Sequence, residues 1–227
     1  MQALSTLCFL AACFFVTMVM VASNLQTIYD SFTNDNMLAD AEFYLNSEVN
    51  LNELESRFDA KFEQSNVVDY ETKPGQTLRI FSGNEVLNKH AILQGQDLDN
   101  NSILIDKTFA GANKINIGDT MSISGKAYKV SGIMALPNYI YVIRSKEEML
   151  NNAKTFGIAV ISKSNMYDIP GKSNFYAVRF NNRDNIHEQE TKLKSYLLTH
   201  GVQILNGRVW RIKARYRLSK WRSMLPA

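Results

Sequence analysis

The run Ala3-Leu-Ser-Thr-Leu-Cys-Phe-Leu-Ala-Ala-Cys-Phe-Phe-Val-Thr-Met-Val-Met-Val-Ala22 contains no charge, no proline and no glycine. At about 1.5 Å of rise per residue it spans roughly 30 Å, the hydrocarbon thickness of a bilayer. In lipid every backbone N–H and C=O must be satisfied within the segment, so a crossing of this length is a helix. Ser5, Thr6 and Thr17 fit, because their hydroxyls can bond back to the preceding turn. The stretch reads as a membrane helix, and the rest of the chain hangs from it.

Two other readings of the same letters are weaker. A secretory leader needs a charged opening and a shorter apolar core. Val21-Ala22-Ser23 could serve as its cleavage site, but Met1 and Gln2 offer only the α-amino charge and the apolar run is too long. Leu10-Ala11-Ala12-Cys13 has the letters of a lipoprotein box. Lipidation there would leave a mature chain that is still apolar, so Cys13 reads as a small hydrophobe in the helix. No Lys or Arg follows until Arg57, whereas Asp30, Asp35, Asp40 and Glu42 do. Basic flanks mark the cytoplasmic side, so the bulk of the chain is expected outside and the N-terminus inside.

About 200 residues follow, enough for one sizeable or two small domains. Cys8 and Cys13 both lie in the helix, so an external domain would have neither disulfides nor thiolate chemistry. The net charge of +3 is misleading. Arg208, Arg211, Lys213, Arg215, Arg217, Lys220 and Arg222 carry no acid among them, and without them 18 bases face 22 acids. A mildly acidic domain with a basic tail argues against nucleic-acid binding.

Leu25, Ile28, Tyr29 and Phe32 keep a helical spacing, so the membrane helix is expected to continue as a stalk until Thr33-Asn34-Asp35-Asn36. A strand over 38–45 follows. A helix then starts at Leu51, with Asn50 as N-cap, Glu53 as capping-box partner, and Leu54, Phe58 and Phe62 on its face. Strands over 67–70 and 77–81 are joined at Pro74-Gly75. From Ala91 to Val142, short alternations are punctuated by Gly118-Asp119 and Gly125-Lys126, with one helical turn over 109–113. A short helix over 146–154 and a strand over 158–161 come next. The last unit is a strand over 175–180, a helix over 185–200 closed by Gly201, and a strand over 202–205.

Candidate chemistry is sparse. His187 has Glu188, Glu190 and Asp184 near it, but a zinc site wants further ligands facing one way, and a solvated helix face accounts for them. His200 sits in a last helical turn, where a cation is favoured. Asp97, Asp99, Asn100 and Asn101 begin like a calcium loop, but Ser102 and Thr108 stand where the pattern needs Gly and an acid, so they read as a polar turn. There is no phosphate loop and no Gly-x-Ser-x-Gly elbow. No catalytic residue, metal ligand or cofactor site is expected.

Ile103-Leu104-Ile105-Asp106-Lys107-Thr108-Phe109-Ala110, then Asn113-Lys114-Ile115-Asn116-Ile117-Gly118-Asp119-Thr120, resemble the external (MacB-type) domain of FtsX-like ABC transporter permeases. The likeness continues through Gly125-Lys126-Ala127-Tyr128-Lys129-Val130-Ser131-Gly132-Ile133 and Pro137-Asn138-Tyr139-Ile140-Tyr141. Ser23-Asn24-Leu25, Tyr29-Asp30-Ser31-Phe32 and Leu38-Ala39-Asp40-Ala41-Glu42-Phe43 are similar to the segment after such a permease's first membrane helix.

The expected fold is α+β: a transmembrane and stalk helix over 1–36, a first β-α-β half over 37–90, an inserted β-rich subdomain over 91–172, a second β-α-β half over 173–206, and a disordered basic tail over 207–227. The tail's bases and aromatics also suit an anionic lipid surface. The resemblance implies a bacterial membrane location, an ABC ATPase partner, further permease helices and paired permeases. It also implies external movements coupled to ATP binding, with no catalysis by this chain. Family members have a segment before the first helix and further helices after Leu205, so the chain reads as part of a permease. A stand-alone anchored adaptor or ligand-binding protein is the alternative, although the long heptad hairpin usual in adaptors is missing.

Overall fold

The computed structural model describes residues 2–45, 47–144, 150–202 and 204–208; of residues 2–5 and 205–208 it describes the backbone alone. The chain divides into two compact units, Met1–Asp35 and Asn36–Ala227. The first is one unbroken helix, α1 (Gln2–Asp35), which ends where the Asn and Asp cluster was expected to end it. Residues Thr6–Asp35 are long and apolar enough to cross a membrane. Thr17 Oγ1 donates to Cys13 O at 2.8 Å, so that hydroxyl is satisfied inside the helix. Phe9, Phe14, Phe15 and Met18 are all exposed. A helix whose first two dozen residues are apolar all round suits lipid rather than water.

The second unit is built on one sheet, ten-stranded among the described residues. Its elements are β1 (Ala41–Leu45), α2 (Leu51–Phe58), β2 (Ala60–Lys73), β3 (Gln76–Ser82), β4 (Ala91–Gly95), β5 (Ser102–Asp106), α3 (Lys107–Asn113), β6 (Thr120–Ile123), β7 (Lys126–Ala135), β8 (Phe156–Ile161), α4 (Lys163–Tyr167), β9 (Ser173–Phe180), α5 (Ile186–Thr199) and β10 (Ile204–Arg208). The order is β10-β1-β9-β2-β3-β8-β5-β7-β4, with β6 also on β7.

Both expected β-α-β units are present, and they interleave. β1 and β2 each run antiparallel to β9, which lies between them, and β9 and β10 each run antiparallel to β1. Each helix therefore crosses over a strand of the other unit, a split β-α-β arrangement. The β-rich stretch does not form a separate sheet: β8 pairs in parallel with β3, and β5, β7 and β4 continue the same ladder.

Alternation along the strands divides the core by face. Phe43, Phe62, Tyr176 and Val178 pack with Leu54 of α2 and with Leu193 and Leu197 of α5. Further along, Ile80, Ile105, Ala159 and Ile161 pack with Phe109 of α3 and Met166 of α4. The opposite face gathers Val67, Phe81, Leu104, Val160 and Phe175 with Leu136 and Tyr139.

Several local expectations are corrected. Phe62 belongs to β2, because the chain turns at Asp59 in the left-handed region (φ 44°) and becomes strand at once. The four-residue step from Phe58 to Phe62 fits a helix equally well, which explains the misreading. Asn50 Oδ1 does cap α2 by accepting from Glu53 N at 3.4 Å, but the Glu53 carboxylate accepts from Tyr196 Oη at 2.5 Å instead of reaching back. The helix expected over 146–154 is irregular chain leading into a turn in its described part, 150–154, and residues 145–149 lie outside the described residues. α4 was not expected, being a five-residue helix capped by Ser162. Of the tail expected over 207–227, Gly207 and Arg208 belong to β10, and residues 209–227 lie outside the described residues.

Gly201 ends α5 at φ 75°, with Val202 N bonded to Leu197 O at 3.0 Å and Gly201 N to Leu198 O at 3.2 Å. This is a Schellman closure, in which a Cβ is penalised. Gly201→Ala is expected to cost about 1 kcal/mol, lowering the thermal midpoint by roughly 2–4 °C in a unit of this size. An unchanged midpoint would contradict this closure.

Candidate functional site

The segment that follows α1 is held along its backbone by residues far away in the sequence. Asn36 O accepts from Lys89 N and Met37 O from Asn88 N, both at 3.0 Å. Leu38 O accepts from Arg179 Nη1 at 3.1 Å, Ala39 N donates to Asn88 Oδ1 at 2.9 Å, and Asp40 N donates to Val178 O at 2.8 Å. Two buried carboxylates complete the clamp. Asp40 accepts from Phe180 N at 3.1 Å and pairs with Arg183, while Glu42 Oε1 accepts from Asn88 Nδ2 at 2.7 Å and Asn138 Nδ2 at 2.8 Å. A buried charge is tolerated when its lone pairs are filled in this way.

The clamp thus draws on three separate stretches of chain: the loop after β3, the end of β9 with its following turn, and the turn at 137–139. Asn138 is placed there by a short 3-10 turn that begins at Pro137. Tyr139, next in that turn, presents its hydroxyl to Arg79 Nη1 at 3.2 Å. Arg79 is itself held bidentately by Asp69, at 2.6 and 2.7 Å. Burial acts to lower its pKa, but the Asp69 carboxylate and the Tyr139 phenol outweigh burial and raise it. The guanidinium is a permanent charge that fixes the turn.

The histidines and acids weighed from the sequence are dispersed. His187 and Glu188 are exposed on α5, and Glu188 pairs with Lys192 at 2.7 Å, which lowers its carboxyl pKa. Glu190 is half-buried, and burial raises its pKa. His200 Nδ1 lies 2.9 Å from Tyr196 O, and the two rings meet at a tilt of 33° with centroids 4.0 Å apart. Asp99 Oδ1 accepts from Asn101 N at 2.9 Å, closing the polar turn before β5. Asp97 meets His90 Nε2 at 2.8 Å; burial opposes its charge, but hydrogen bonds from His90 and from Leu98 N prevail and lower its pKa. Among the described residues no three His, Cys, Asp or Glu converge on a point that would hold a metal.

The sequence did not single out Asn88 or Glu63. Glu63 is buried on β2 and accepts from Glu85 N at 2.8 Å, Val86 N at 2.9 Å and Leu87 N at 2.5 Å, which shapes the loop that carries Asn88. Its signal was positional: it shares strand parity with Val67, on a face that ought to be apolar. Nothing local marks Asn88.

The segments that carried the family resemblance perform identifiable jobs. Asp106 Oδ1 caps α3 through Thr108 N at 3.0 Å and Phe109 N at 2.9 Å, and its Oδ2 accepts from Ile158 N at 2.7 Å, continuing the β5–β8 ladder. Gly118 N and Asp119 O bond Val130 O and Val130 N, both at 2.8 Å, fixing that turn on β7. At Gly132 a Cβ would lie 2.7 Å from the carbonyl oxygens of both Gln94 and Gln96, so β4 can approach only a glycine.

Comparison with known proteins returns solved structures alone. No protein-family model matches the chain, and no curated protein matches it. It is similar to the periplasmic region of MacB from Actinobacillus actinomycetemcomitans, at 9% identity over 82% of this chain and 93% of that one, with a TM-score of 0.39. It is similar to the extracellular domain of the noncanonic ABC-type transporter YknZ from Gram-positive bacteria, at 14% identity over 74% of this chain and 100% of that one, TM-score 0.39. A third is a putative lipoprotein from Bacillus anthracis, at 11% identity over 75% of this chain and 97% of that one, TM-score 0.34.

Proposed function

We propose that the chain is a membrane helix and external domain of an FtsX-like, MacB-type ABC permease, moved by an ATPase partner and performing no catalysis of its own. The observation that carries this reading is the clamp on residues 36–42. A segment that leaves a membrane-spanning helix and is bonded at once to three distant stretches of one sheet is suited to passing displacement between a bilayer and a rigid body. Flexible tethers, by contrast, are polar and loosely held. The membrane reading rests on the length and apolarity of residues 6–35, and the external placement on their acidic downstream flank. Partner helices, pairing and the basic tail's contact with lipid belong to the same proposal.

The test uses the full chain in its own membrane. Cys8 and Cys13 are replaced by Ser, and Ser195→Cys supplies one exposed thiol on α5. Labelling of intact cells by a membrane-impermeant maleimide, together with recovery of an ATP-binding-cassette subunit after mild detergent extraction, is expected. Labelling only after lysis overturns the orientation. External labelling with no such ATPase recovered, even with flanking permease genes co-expressed, favours the anchored adaptor.

A further inference from the structure

Beside the clamp lies a chamber of about 10 Å³ with apolar walls of Phe81, Leu136 and Val160. Three of the side chains that line it each carry a buried polar atom with no hydrogen-bond partner in the protein: Asn84 Oδ1, His90 Nδ1 and Asn138 Oδ1. Neighbouring bonds fix the chemistry of two of these. Asn138 Nδ2 donates to the Glu42 carboxylate, so the end of this amide left without a partner is the acceptor Oδ1. His90 Nε2 faces the Asp97 carboxylate and must carry the proton of that hydrogen bond, and the neutral tautomer that does so has a lone pair at Nδ1.

Two acceptors cannot satisfy one another, and an unpaired buried polar group costs about 1–3 kcal/mol. Three such groups around a space the size of one small molecule call for a donor. We propose that the chamber holds a single ordered water that donates to His90 Nδ1 and Asn138 Oδ1 and bonds Asn84. Water fits on three counts. The volume is near the smallest that admits one, about 10–15 Å³. Three partners is the usual coordination of a buried water. Water also answers Asn84 whichever way that amide is turned, which a cation cannot do. No carboxylate oxygen lines the chamber, so a cation would be desolvated without a counter-charge.

The water joins the 84–90 loop to the 137–139 turn, the two stretches that already meet on Glu42, and it stands independently of what the domain transmits. The test uses the full chain in nanodiscs with 15N-labelled histidine, signals being assigned by single His→Gln replacements. His90 Nδ1 is expected at the position of an unprotonated nitrogen that accepts a hydrogen bond, unmoved by EDTA or added Zn2+. Asn84→Leu, which fills the chamber, is expected to shift it toward the value for a nitrogen accepting none. In crystals of the full chain, density for one water touching all three atoms is expected. A dry chamber, a shift with EDTA or Zn2+, or a His90 signal indifferent to Asn84→Leu in a folded protein each overturns the proposal.

Discussion

Gly157→Ala is expected to destabilise the domain by about 3 kcal/mol or more, with the thermal midpoint falling by roughly 10 °C. Gly157 lies on β8, and a Cβ there would stand 2.2 Å from Phe109 Cγ, 2.4 Å from its Cδ2 and 2.5 Å from its Cβ. No rotamer change clears three atoms that include Phe109's own Cβ. Phe109 is fully buried in α3, against the face that carries Ile105 and Ala159. Either the ring leaves the core, at the cost of losing a buried phenylalanine, or α3 lifts from the sheet and pulls on the Asp106 bonds to Thr108, Phe109 and Ile158. Adding Phe109→Leu to the Gly157→Ala variant is expected to recover part of the loss, a coupling that distant sites do not show. The measurement is thermal or urea unfolding of the full chain in detergent. A Gly157→Ala midpoint within about 2 °C of the parent would mean that α3 does not rest on β8 in this way.

Removing the Glu63 carboxylate is expected to cost about 3 kcal/mol, because it leaves one buried and two part-buried donors without their partner. Glu63→Ala strands the amides of Glu85, Val86 and Leu87, the last belonging to a fully buried residue. Lys163, whose Nζ lies 3.7 Å from Glu63 and 3.3 Å from Glu85, keeps only the exposed partner. Glu63→Gln is not conservative here, because one end of the amide would turn N–H toward N–H; about 2 kcal/mol is expected. Amide exchange separates this local account from general weakening. Residues 85–89 are expected to lose protection in both variants while β7 and β8 keep theirs. Equal loss across the sheet, or none in the loop, would contradict the role given to Glu63.

Much of this architecture was legible in the sequence, and the parts that were not have physical reasons. α1 announced itself by its length and lack of charge. Gly75, Gly118, Gly125 and Gly201, where turns were expected, all have positive φ. Asn50 capped its helix, and the helical turn expected over 109–113 lies within α3. What failed was non-local. The order β10-β1-β9-β2 cannot be seen in any window, because each pairing joins residues more than a hundred positions apart or crosses another unit. β2 was underestimated because buried Glu63 and Ser65 interrupt its apolar alternation, and their partners lie in a loop and on another strand. The clamp was legible only as letters. Asp40 and Glu42 read as an acidic flank, and Asn88 as nothing, since each takes its role from what folding brings to it.

The interleaving also constrains how the protein can be made. β1 has two neighbours, β9 and β10, and both are encoded more than a hundred residues after it. While the ribosome is still translating the β-rich stretch, Ala41–Leu45 has no strand to pair with, although the helix before it is already available to the insertion machinery. The sheet can close only after Ser173–Phe180 has emerged and threaded between β1 and β2. Such late, long-range pairing makes for slow maturation and leaves a sticky strand exposed in the meantime. A nascent chain halted before β9 would be a natural client for a holding chaperone on the side of the membrane where the domain folds.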